Sequence, residues 1–169
     1  MNTQRVVPRP VPKGTLLDKH SQDVAYVDCF EMVVTNARKT IRQPKKHRSV
    51  TLAQSFAESF FGSRRFVPES CVLWFVRWLF YRPPPCQLSY GQGFFRVVKE
   101  SEDEILMDAG PTQSWLRVLE DPEALQRTYQ FGSIIKKPSL WLGLLVYPHV
   151  WYAKFLLAGA VHHHMCPDR

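Results

Sequence analysis

The chain is 169 residues long, 45% apolar and 13% aromatic, with 22 Lys and Arg against 15 Asp and Glu for a formal net charge of +7. That length and apolar content predict one globular domain with a real core, and the excess of Phe, Tyr and Trp suits a pocket for a flat or hydrophobic ligand. Cys29, Cys71, Cys86 and Cys166 form no C-x-x-C pair and show no metal-type spacing, so they read as reduced thiols of an intracellular protein.

Residues 1–22, with Pro8, Pro10 and Pro12, predict an extended arm lying across the surface. They lack the apolar core of a signal peptide, and the prolines spoil a transit helix, so a cytoplasmic protein is expected. The domain itself is expected over 23–164, with 165–169 as a tail. Asp23 to Val34 predicts the first strong strand, with Tyr26, Asp28, Phe30 and Met32 on one face and Val27, Cys29, Glu31 and Val33 on the other. Each face carries one carboxylate, so Asp28 or Glu31 becomes a buried acid if its face lines the interior.

Six Lys or Arg and His47 crowd the stretch from Arg38 to Arg48 with no acid. No aromatic residue interleaves them, which argues against nucleic acid and for a solvated loop, with weak contact with an anionic membrane through residues 38–48 as the remaining option. Thr51 and Gln54 then form a capping-box pattern. Leu52, Phe56 and Phe60 recur every four residues, and Gly62 is a plausible stop. A second helix opens at Pro68-Glu69 and runs to Tyr81, with Arg77 the only charge after Cys71. Such a stretch means deep burial, a partner surface, or a wall and lid over a ligand cavity. Pro83, Pro84 and Pro85 end it.

Beyond the prolines the period changes to two. Gly93–Glu100, Ile105–Asp108, Ser114–Glu120, Thr128–Lys136 and Leu140–Tyr147 are predicted strands, with room for a short helical turn at Asp121–Gln126. The apolar run from Leu140 to Val161 has the length of a membrane span, but Pro148 splits it. A strand buried on both faces is predicted before Pro148, and a helix from His149 to about His163 after it. The order strand, two helices, run of strands, long helix predicts an α+β fold in which an antiparallel sheet grips the last helix.

Tyr26-Val-Asp28-Cys-Phe30, Ala57-Glu-Ser-Phe-Phe61, the Trp74 to Arg77 helix, Ser114-Trp-Leu-Arg117-Val118 and Tyr147-Pro148-His149 carry a resemblance. Over about residues 23–160 the chain resembles a group of short, functionally uncharacterised proteins of the START-like superfamily, alongside polyketide cyclases, plant pathogenesis-related allergens and lipid-transfer domains. The resemblance implies a START-like helix-grip fold, a curved antiparallel sheet wrapped around a long C-terminal helix with an internal hydrophobic cavity. That family pattern places Asp and His close together in the turn before the strand carrying Arg117. Asp108 stands for the first, while Pro111 to Ser114 supplies no histidine, a departure from the pattern.

His149, between two apolar elements, is the leading candidate for acid–base work. Asp28 is expected either to pair with Arg117 or to serve as a base, and Arg117 with Tyr129 could instead polarise a carbonyl. Trp74, Phe75, Trp78 and Trp115, with Tyr26 and Phe30, are expected to shape the ligand pocket. His162-His163-His164 with Cys166 reads as a basic helix end rather than a metal site, and no metal or cofactor is expected. Two functions fit these residues. One is a cofactor-free enzyme that cyclises, isomerises or dehydrates a polyketide- or terpenoid-like molecule. The alternative is a non-catalytic binding or transfer protein for lipid-like ligands. Fold alone does not choose between them.

Overall fold

A computed structural model describes residues 5–21, 24–35, 50–80, 88–110, 112–136 and 142–166. In chain order these form β1 (Val7–Pro8), α1 (Leu16–His20), β2 (Tyr26–Thr35), α2 (Leu52–Gly62), α3 (Val67–Phe80), β3 (Ser89–Tyr90), β4 (Phe95–Glu100), β5 (Glu104–Ala109), β6 (Thr112–Asp121), β7 (Gln126–Ile135) and α4 (Leu142–Met165). The basic stretch at 38–48 lies outside the described residues.

The strands make one antiparallel sheet in the order β1-β2-β7-β6-β5-β4-β3. Its centre is long and regular: β2 pairs with β7 from Tyr26↔Ile135 to Thr35↔Gln126, and β6 pairs with β7 over the same span. Because side chains alternate along a strand, this register stacks whole rows of residues on one face. Phe30–Phe131–Leu116 and Met32–Tyr129–Val118 are two such rows, and both are buried against α2 and α4. A register shift between Val97 and Lys99 marks a bulge in β4, the kind of irregularity that bends a sheet.

Helix α2 follows its sequence closely. Thr51 Oγ1 accepts from Gln54 N, and Gln54 Oε1 accepts from Thr51 N, so two orphan donors of the first turn are satisfied. Ala53, Phe56, Ala57 and Phe60 form its buried stripe. Helix α4 departs from expectation. Leu142 to Met165 is one helix with Pro148 inside it, so the apolar segment ending at Tyr147 is not a strand. A short apolar run does not distinguish a buried strand from a buried helical turn. Pro148, in the second turn, costs the helix its bond to the carbonyl four residues back without ending it. The Asp121–Gln126 segment is a tight hairpin turn instead of a helical one: Asp121 Oδ1 accepts from Glu123 N and Ala124 N, and Leu125 takes φ 52.

The N-terminal arm is tied down at several points. β1 extends the sheet beside β2, and α1 packs on the face opposite α2 and α4. There Leu16 and Leu17 join Cys29, Leu106, Trp115 and Ile134 in a second buried cluster. Glu104 accepts from Leu16 N and Trp115 Nε1, both at 2.8 Å, so one buried carboxylate pins the start of α1 to the sheet. Gly132 allows the close approach, since a Cβ there would lie 2.5 Å from Leu17 Cδ2 and 2.9 Å from the Asp28 carbonyl.

Candidate functional site

A cavity of about 460 Å³ lies between the sheet and the helices. Phe60, Phe66, Phe95, Phe131, Ile135, Ala153 and Leu156 give it an apolar body. Polar groups enter from Tyr26, Thr112, Gln113, Ser114, Ser133 and His149, and from Glu69 and Tyr152. Cross-strand register explains Tyr26, Thr112, Ser114 and Ser133. Next to the apolar rows lie Asp28–Ser133–Ser114 and then Tyr26–Ile135–Thr112, so the inner face turns polar towards the Tyr26 end of β2.

Asp28 organises that end. Its Oδ1 accepts from Ser133 N at 2.9 Å, and its Oδ2 accepts from Tyr26 Oη at 3.1 Å. His149 Nε2 lies 3.2 Å from Oδ2, within ion-pair distance but off the line a hydrogen bond needs. The Tyr26 and His149 rings meet edge to face, 6.2 Å apart. Burial first, then the Asp28 charge and hydrogen bond, push Tyr26 up to about 12, so it stays a donor. On the helical side Tyr152 Oη donates to Glu69 Oε2 at 2.9 Å. Burial raises Glu69, with the Tyr152 hydrogen bond and the His149 charge opposing it.

The structure brings Tyr26, Asp28 and His149 together and separates the other candidates from them. Arg117 is two residues from Trp115 and points with it to the opposite face of the sheet, where its Nε sits 3.0 Å from Asp103 and 3.8 Å from Glu104. The expected Asp28–Arg117 ion pair is therefore absent, because the two residues have opposite parity in the register. Tyr129 is on the inner face but two rows away, packed against Phe56 and His164. Trp115 is fully buried in the outer cluster and does not line the cavity. Phe30 belongs to the core beneath the cavity. Trp74 and Phe75 are more than half exposed, and the Trp78 side chain lies outside the described residues.

Glu69, Tyr152, Ser114 and Ser133 line the cavity without having been singled out for it. Glu69 was legible only as a helix-start acid, and the two serines look like ordinary strand residues until the register is known. At the other end of α4, His163 Nδ1 meets the Ser59 carbonyl at 3.2 Å and His164 Nδ1 meets Ser59 Oγ at 2.9 Å, which ties α4 to α2. Among the described residues no group of His, Cys, Asp and Glu is arranged to hold a metal ion.

Fold and site together define a helix-grip-like α+β protein with a largely apolar cavity between sheet and helices that has one polar end. No protein-family profile, curated protein or solved structure matches the chain. Among the described residues no helix is long and apolar enough to cross a membrane.

Proposed function

We propose that this protein binds a hydrophobic small molecule in the cavity between its sheet and α4, as a START-like carrier or sequestering protein. The observation that carries the reading is an aromatic-walled cavity of about 460 Å³ whose few polar groups gather on the Asp28–Ser133–Ser114 rows. Its volume and apolar character are those of a small-molecule site. A polar end inside an apolar body suits an amphipathic ligand.

The Asp28–His149 contact, with Glu69 raised by burial on the facing helix, favours a second reading as an acid–base enzyme for cyclisation, isomerisation or dehydration. Binding is the better supported of the two. Both Asp28 oxygens are already engaged, and neither Arg117 nor Tyr129 reaches this end to stabilise a developing oxyanion. Native mass spectrometry with solvent extraction, on protein from its own host and on His149→Ala, separates the readings. One hydrophobic compound, chemically identical in both preparations, is the expected result. A compound whose chemical form changes in His149→Ala would mean catalysis. Empty protein that takes up no hydrophobic probe would contradict both.

A further inference from the structure

The hydroxyl groups lining the cavity are not equivalent. Tyr26 Oη is committed to Asp28, Tyr152 Oη to Glu69, and Thr112 Oγ1 to the Ala109 carbonyl at 3.5 Å. Gln113 sends its amide to Asp108. Ser114 and Ser133 are different: among the described residues neither side-chain hydroxyl has a hydrogen-bond partner. They face each other across β6 and β7 in the row that begins with Asp28. Directly opposed residues on antiparallel strands have Cβ atoms about 5 Å apart, so both hydroxyls can reach one shared atom.

We infer that the polar end of the ligand is a single uncharged oxygen, a hydroxyl or a carbonyl, held between Ser114 Oγ and Ser133 Oγ. This rests on the binding reading above and specifies its ligand class. Each serine hydroxyl donates one bond and accepts others. A carbonyl oxygen takes one bond from each serine, and a ligand hydroxyl accepts from one while donating to the other. Neither hydroxyl is among the buried side-chain atoms shut off from water, so a ligand oxygen entering the cavity can reach both.

Charged ends fit worse. A carboxylate placed between the serines would lie in the same row as Asp28, and like charges in one low-dielectric site repel. An ammonium would have to compete for Asp28 oxygens already approached by Ser133 N, Tyr26 Oη and His149 Nε2. The site therefore selects against both signs, by charge on one side and by prior occupancy on the other.

The test uses the fluorescent hydrophobe N-phenyl-1-naphthylamine, displaced at neutral pH by a matched ten-carbon series: decanol, 2-decanone, decanoate and decylamine. Decanol and 2-decanone are expected to bind about tenfold or more tighter than the two charged compounds. In the Ser114→Ala/Ser133→Ala double variant their affinity is expected to fall about tenfold, the value of two modest hydrogen bonds. Saturable probe binding by the double variant reports an intact cavity. Decanoate or decylamine binding as tightly as decanol would overturn the assignment, as would an unaltered decanol affinity in a folded double variant. A probe that does not bind the wild-type protein would instead remove the cavity-binding reading, and this assignment with it.

Discussion

His164 is a partly buried histidine held between α4, α2 and the sheet. Its ring packs edge to face on Phe56 and Tyr129, and its Nδ1 meets Ser59 Oγ. Burial first, then the Arg127 charge, push it down to about 4 from an ordinary 6.5, with the Ser55 backbone opposing and the His163 charge adding to the fall. Because the folded value lies below the unfolded one, acid protonates the unfolded chain first. Its stabilising contribution is complete above pH 6.5, declines between pH 6.5 and 4, and changes no further below that. A shift of that size corresponds to about 3 kcal/mol. Urea unfolding of the wild type and His164→Gln across this window should show a steeper loss in the wild type. Parallel curves would contradict it. Burial gives Glu69 the opposite sign, so the comparison between the two proteins matters more than either curve. Asp28 shows how far single residues were legible. Alternation places it and Glu31 on opposite faces of one strand and leaves open which face is inward. Its partner is not legible either, because whether Arg117 shares that face depends on the register of two strands that are distant in sequence.

At the scale of elements, the N-terminal arm is a small second layer on the sheet. Leu17 is fully buried among Cys29, Leu106, Trp115 and Ile134, with Gly132 open beneath it. Leu17→Ala is expected to cost about 2–5 kcal/mol in equilibrium unfolding, the range for truncating a buried leucine. A cost near zero would mean that the arm is not docked in solution. Gly132→Ala adds a methyl group where Leu17 and Trp115 already crowd. It should destabilise by about 1–3 kcal/mol as an overpacked site, and by less in a Leu17→Ala background, where the Asp28 carbonyl and Trp115 still crowd the new methyl group. Additive costs would show that Leu17 is not what crowds the new methyl group. The sequence marked Leu16-Leu17 only as an apolar pair within a proline-rich stretch, since a five-residue helix leaves too few turns for a periodic signal. Helix α2 was readable to the residue because its capping box and four-residue period agree. α4 was misread in its first turns because an apolar run before a proline fits a strand or a helix equally well.

For the molecule as a whole, the sheet closes over α4 with its inner face graded from apolar rows to polar ones, and the cavity sits where that gradient begins. The architecture was visible in the order of elements. The cavity's lining was not, because it depends on which strands lie side by side and on how α3 and α4 approach their open face. The measurement that bears most directly on function is a fluorescence titration of N-phenyl-1-naphthylamine into the wild type and into Leu156→Trp, which places a larger ring in the cavity wall. Saturable one-to-one binding to the wild type, weakened about tenfold or more in a Leu156→Trp protein that keeps its circular dichroism spectrum, is the expected result. Binding that never saturates, or that is the same with the cavity blocked, would contradict an internal ligand site.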